Sequence, residues 1–141
     1  MSWGGFADAE ALRTAARDYL IAGWHDHDIV RVRGLVTPDF EFDLVGRDDE
    51  VGIDWYLGFL KMARDAVDGL DVEFRELIVE DDDVGVHLVL LGTQAKKLFG
   101  VPSRGSSGAI DVMTRLQFRD RKVARQSSIT DFAALQAVLK G

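Results

Sequence analysis

Cysteine is absent from the 141 residues, which excludes disulfides, thiolate nucleophiles and cysteine-ligated metals together. Basic charge is in deficit as well. Lys and Arg number 17 against 24 Asp and Glu, a formal charge of −7. Nucleic acid or an anionic membrane as main partner needs the opposite sign. No apolar run approaches the ~20 residues that cross a bilayer. The start of the chain carries Asp8, Glu10 and Arg13 and fits no signal-peptide apolar region. Internal repeats and low-complexity tracts are missing too. What is present is the composition of an ordinary globular chain, 47% hydrophobic and 29% charged. A single domain over residues 1–141 with a cytoplasmic address is expected.

Hydrophobic spacing predicts the elements. Over residues 7–24, Leu12, Ala15, Ala16, Tyr19, Leu20 and Gly23 form one helical stripe, with Asp8 as the expected N-cap. A short helix over 28–35 is closed by Thr37-Pro38, and the alternation of Phe40, Phe42 and Leu44 with Glu41 and Asp43 predicts a half-buried strand. After a polar turn at 46–50, residues 51–67 carry two stripes: Ile53, Tyr56, Leu57 and Leu60, then Trp55, Phe59, Met62 and Ala66. A helix apolar over that much of its girth touches two neighbours. Strands are expected over 70–79, 84–91, 109–118 and 122–130, and a closing helix over 132–139. The order predicts an α+β domain with helices on one face of an antiparallel sheet. The strand from Val84 to Leu91 hardly alternates, so both its faces should be covered. Helices can cover one face, and a second subunit is the simplest cover for the other, which predicts a homodimer.

The run Asp83-Val84-Gly85-Val86-His87, followed by Gly92-Thr93-Gln94 and by Phe99-Gly100-Val101-Pro102 with Gly105, resembles the SnoaL-like polyketide-cyclase family. That family belongs to the nuclear-transport-factor-2-like superfamily, and the order of elements matches from about Ala11 to Leu139. The resemblance implies a cone-shaped, curved antiparallel sheet whose cavity is covered by the N-terminal helices. It is less specific for chemistry, because this fold hosts cyclases, isomerases, dehydratases, epoxide hydrolases and binding modules. The family's Gly-Thr-His stands here as Gly92-Thr93-Gln94, and its closing Trp-Asp pair falls on Ser127-Ser128. A hydroxyl at the position of the family's general acid/base can hold a hydrogen bond but cannot shuttle a proton near neutrality. The Asp-Arg-Asp set of the limonene-epoxide-hydrolase branch would fall on Leu88, Leu90 and Ser128, which rules that chemistry out.

With Ser128 inward, alternation brings Gln126 and Ala124 to the same face. The family register adds Leu88, Leu90, Gln94, Ile110, Val112, Thr114 and Leu116, with Trp55 and Phe59 from the helix. The implied pocket is apolar, with Gln94, Thr114, Gln126 and Ser128 as neutral polar groups. It suits an apolar ligand bearing a few oxygens. The titratable candidates are four. Asp43 would act as a base if it lies at the cavity mouth; its alternative is a solvated strand face shared with Glu41. Tyr19 would donate to a ligand carbonyl, or be core with its hydroxyl at the rim. His87 could pair with Asp111 or Asp43 as in a dehydratase, but the register that turns Ser128 inward sends His87 and Asp111 to the opposite face. Asp131 is a second carboxylate near the last helix and is better read as that helix's cap.

His25-Asp26-His27-Asp28 lacks a third partner for a metal, and Glu80-Asp81-Asp82-Asp83 lacks the glycine and glutamate of a calcium loop. Lys96, Lys97 and Arg104 belong to a loop over the expected mouth, and Gly105 and Gly108 read as a flexible hairpin tip. No metal or cofactor is expected. Two functions follow. One is aldol cyclisation, isomerisation or dehydration of a small apolar carbonyl compound, with Asp43 as base and Tyr19, Gln94 and Gln126 holding the enolate oxygen. The alternative is a small-ligand-binding or dimeric interaction module without chemistry.

Overall fold

Alanine- and leucine-rich sequence at helical spacing buries Ala16, Tyr19, Leu20, Ala22 and Trp24 along one side of α1 (Phe6–Trp24). The computed structural model describes residues 6–44, 51–130 and 132–140. The turn expected at 46–50 and the proposed cap Asp131 lie outside the described residues. Asp8 is not the N-cap of α1: the helix begins two residues earlier, so its carboxylate sits in the first turn, where the helix dipole still favours it. His27 takes a left-handed backbone (φ 54°) to turn the chain, and Asp28 then caps α2 (Ile29–Gly34) by accepting from the Arg31 N–H at 3.1 Å.

The next elements are β1 (Val36–Leu44), α3 (Ile53–Ala66), β2 (Val67–Glu80), β3 (Asp83–Gln94), β4 (Ser107–Arg119), β5 (Lys122–Thr130) and α4 (Phe132–Lys140). Thr37 and Pro38 do not merely end α2, as their sequence suggests; they already belong to β1. Five strands form one sheet in the order β1-β5-β4-β3-β2. All neighbours are antiparallel except β1 and β5, which run parallel because the rest of the chain separates them. The expected α+β architecture with a curved sheet and covering helices is therefore present. Helices α1 and α3 pack against β2, α1 also against β3 and α3 against β1, while α4 packs on β4.

Irregular pairing bends the sheet. The ladder between β2 and β3 shifts register between Asp68 and Asp71, where Gly69 has φ +65°, and again between Phe74 and Glu76. The ladder between β4 and β5 shifts between Gln117 and Phe118, leaving Ala124 unpaired. Bulges of this kind kink a strand and increase its twist. The last shift also breaks strict alternation: Val123 is buried in the position expected of Ala124.

Glycine permits the closest approach in the fold. Gly92 and Gly108 face each other across β3 and β4. A Cβ on Gly108 would overlap Cγ1 of Val138, and one on Gly92 would overlap the Val67 side chain. Gly108 is thus a strand residue that seats α4, not part of a mobile tip. Gly108→Ala should lose about 1–3 kcal/mol of stability through overpacking, because a β-branched valine cannot swing away. Combining it with Val138→Ala should restore most of that loss, as read by urea denaturation.

Candidate functional site

The concave face of the sheet and the two long helices enclose a cavity of about 140 Å³. Its deep end is built by Leu20 and Trp24 of α1, Phe42 and Leu44 of β1, and Tyr56 and Phe59 of α3. Leu88, Leu90, Ile110 and Val112 form the sheet wall, and the mouth is ringed by Leu98, Phe99, Leu135, Val138 and Leu139. All four neutral polar residues expected on the cavity face line it: Gln94, Thr114, Gln126 and Ser128. Pairing explains why they converge, since Thr114 lies opposite Ser128 and Leu116 opposite Gln126 on neighbouring strands.

Gln126 is the hub of the polar floor. Its Oε1 accepts from the Tyr19 hydroxyl at 2.7 Å, and its Nε2 donates to Tyr56 Oη at 3.3 Å and to Ser128 Oγ at 3.5 Å. Ser128 and Thr114 share a short hydroxyl–hydroxyl bond, and Thr114 Oγ1 also donates to the Ser127 carbonyl at 3.3 Å. Burial pushes the Tyr56 phenol up to about 12, with hydrogen bonds from Gln126, Tyr19 and Trp24 offsetting part of the rise. Burial likewise raises Tyr19 well above an ordinary phenol, reinforced by Tyr56 beside it. Both phenols therefore stay protonated at neutral pH and serve as hydrogen-bond groups, not bases. Tyr19 does not reach the cavity itself, because Gln126 stands between. Tyr56 does, and its position on the apolar stripe of α3 was the same signal that singled out Tyr19.

The acidic and imidazole candidates lie elsewhere. Asp43 is on the outer face, because β1 alternates and Phe42 and Leu44 point inward. Its carboxylate, 30% exposed, lies 3.7 Å from Arg125, which also bonds Glu41 at 3.2 Å. The geometry thus removes Asp43 as a cavity base. His87 is also outside, with Nε2 2.7 Å from Asp111 Oδ1, so the His–Asp pair forms but faces away from the cavity. Two expected ligand contacts fall out of the lining. Leu116 is wholly buried beyond the Thr114–Ser128 pair, in solid core. Trp55 packs its ring on Phe42 and Phe59 (centroids 5.8 and 5.4 Å apart), one helix position round from the inward Tyr56. Among the described residues that line the cavity there is no carboxylate, imidazole, ammonium or guanidinium group.

The charged motif at 25–28 is used structurally. His25 Nδ1 donates to Asp71 at 2.7 Å, which raises the imidazole, and Asp28 caps α2. No cluster able to hold a metal occurs among the described residues. Arg104 donates to the Lys140 carbonyl at 2.9 Å, complementing the C-terminal end of α4, while Lys96 and Lys97 are exposed.

The profile of the SnoaL-like polyketide cyclases matches residues 14–139. The chain belongs to that family. No curated protein matches it. Among solved structures, one from Jannaschia sp. CCS1, assigned as a SnoaL-like polyketide cyclase, is similar at TM-score 0.87 and 22% identity, covering 99% of both chains. IdmH of Streptomyces antibioticus, assigned as a polyketide cyclase, gives 0.81 at 19% identity over 92% of this chain and 99% of its own. An epoxide hydrolase of M. tuberculosis, of the LEH-like type, gives 0.73 at 13% identity, covering 94% and 92%. At such identities the likeness is one of fold. Leu88, Leu90 and Ser128, on which the sequence reading puts the epoxide-hydrolase branch's Asp-Arg-Asp set, all line the cavity.

The floor network gives a direct test. Tyr19→Phe strands Gln126 Oε1, and Gln126→Leu strands the Tyr19 hydroxyl; each should cost about 1–3 kcal/mol. The double variant should lose clearly less than the sum of the singles, a coupling of about 1 kcal/mol or more in a denaturation cycle.

Proposed function

We propose that this chain binds a neutral, mostly apolar small molecule bearing one or more oxygens. The observation that carries this is the character of the cavity: apolar walls, a hydrogen-bonded floor of uncharged groups, and no group charged at neutral pH among the described lining residues. Such a lining holds oxygens by hydrogen bonds and excludes charge. Binding without proton-transfer chemistry is favoured because Ser128 and Gln94, on which the resemblance puts the family's acid/base and histidine, line the cavity and carry neither a carboxylate nor an imidazole.

Family membership supports the second reading, ring closure by aldol addition, isomerisation or dehydration of a carbonyl compound. The hydroxyl of Tyr56, a cavity-lining residue, would then hold the carbonyl oxygen. A thermal-shift screen of β-keto esters, polycyclic phenols, steroids and terpenoids tests both. A ligand at about a hundred times its Kd should add about 2.7 kcal/mol, several degrees in Tm for a chain of this size. A hit recovered unchanged after incubation supports the binder, and a hit converted to product supports the catalyst. A screen without shifts argues against the cavity as a binding site.

The outer face of the sheet supports self-association. Met113 (52% exposed) and Ile129 (55% exposed) are paired across β4 and β5, and His87 lies on the other side of Met113. A homodimer through this face would bury them. Light scattering should then give twice the chain mass, reduced to one by Met113→Arg; a wild-type monomer removes the proposal.

A further inference from the structure

Gln94 ends β3 at the inner edge of the cavity mouth, and only 2% of it is exposed. Its side-chain N–H groups are both spent. Nε2 donates to the Lys96 carbonyl at 2.9 Å and to the Val101 carbonyl at 2.8 Å, holding the loop after β3 against the strand end. These bonds also set the orientation of the carboxamide, because turning it over would press Oε1 against two carbonyl oxygens. Oε1 itself has no hydrogen-bond partner. Neither nearby hydroxyl supplies one: Ser103 donates to the Gln94 backbone carbonyl at 3.0 Å, and Ser106 to the Leu139 carbonyl at 3.4 Å. A buried acceptor left without a donor is costly and rare in folded proteins. This one belongs to a residue that lines the cavity, beside Leu98, Ser106, Gly108 and Leu139.

Building on the binding reading above, we propose that Gln94 Oε1 receives a hydrogen bond from the ligand, so that the cavity selects neutral apolar molecules carrying a hydroxyl group. The sequence suggests the opposite role, an amide that donates to an enolate oxygen. The spent N–H groups exclude that. A ketone, ether or carboxylate oxygen at this point would meet Oε1 lone pair to lone pair. An ammonium group could donate, but its charge would enter an apolar site with no carboxylate among the described lining residues. A phenol, enol or alcohol meets the acceptor without either cost, and specificity of this kind comes from a polar group that the wrong ligand leaves unpaired.

The test uses 2-naphthol, its methyl ether and naphthalene, titrated by calorimetry against the wild type, Gln94→Leu and Ser128→Ala. The wild type should bind 2-naphthol about tenfold or more tighter than the ether. Ser128→Ala should keep that ratio. Gln94→Leu should bring it close to one while retaining naphthalene binding. Because Gln94→Leu also frees two loop carbonyls, a second measurement needs no variant. The Gln94 side-chain amide resonances of the wild type should move on adding 2-naphthol and stay in place with the ether. If all three compounds bind equally, or the preference survives Gln94→Leu, the assignment of Gln94 is overturned and the cavity reading stands. If none binds, both fall.

Discussion

Gln126 joins three elements that are remote in sequence. Its carboxamide accepts a hydrogen bond from the Tyr19 hydroxyl of α1 and donates to Tyr56 of α3 and Ser128 of β5. Polar groups in so apolar a core are costly when unpaired, and one amide with an acceptor and two donors can satisfy phenols arriving from both helices. The arrangement fixes the height of α1 and α3 above the sheet. It leaves the space beneath them as a cavity instead of closing it with side chains.

The cavity's shape comes from the sheet. Register shifts in the ladders of β2 with β3 and of β4 with β5 bend the strands around the helices. At the mouth, Gly92 and Gly108 remove side chains where β2 and α4 press closest, so Val67 and Val138 pack directly on backbone. The same closeness gathers Leu98, Leu135 and Leu139 into a small second apolar cluster with Ala66. Gln94 lies between that cluster and the main core, its amide tied to the loop and its oxygen untied.

The electrostatics divide along the sheet. On the outer face Arg125 meets Glu41 and Asp43, Arg115 meets Asp83, and His87 meets Asp111. The described residues that line the cavity are neutral. In such a lining, aligned dipoles and exclusion of water stabilise a polar ligand group strongly because little solvent competes.

Element order and type were legible along the chain, because helices and strands announce themselves by local periodicity. Within the polar set, Gln126 followed from period-2 alternation once Ser128 was anchored, while Gln94 and Thr114 came from the register that the family resemblance implies. Three things were not local. The position of Asp43 depended on which face of β1 met the helices, and Phe42 and Leu44 bury far more apolar area than two carboxylates could. Ala124 lost its predicted face to a bulge, an event of pairing with β4 that β5 alone does not encode. Gln94 could be recognised as a cavity residue from its strand, but whether it donates or accepts depended on where the Lys96 and Val101 carbonyls came to rest. Composition and spacing set the elements, since these need only neighbours along the chain. Closure of the loop on the strand set the pocket's hydrogen-bond polarity, since an amide's free atom is whichever one its distant partners leave over.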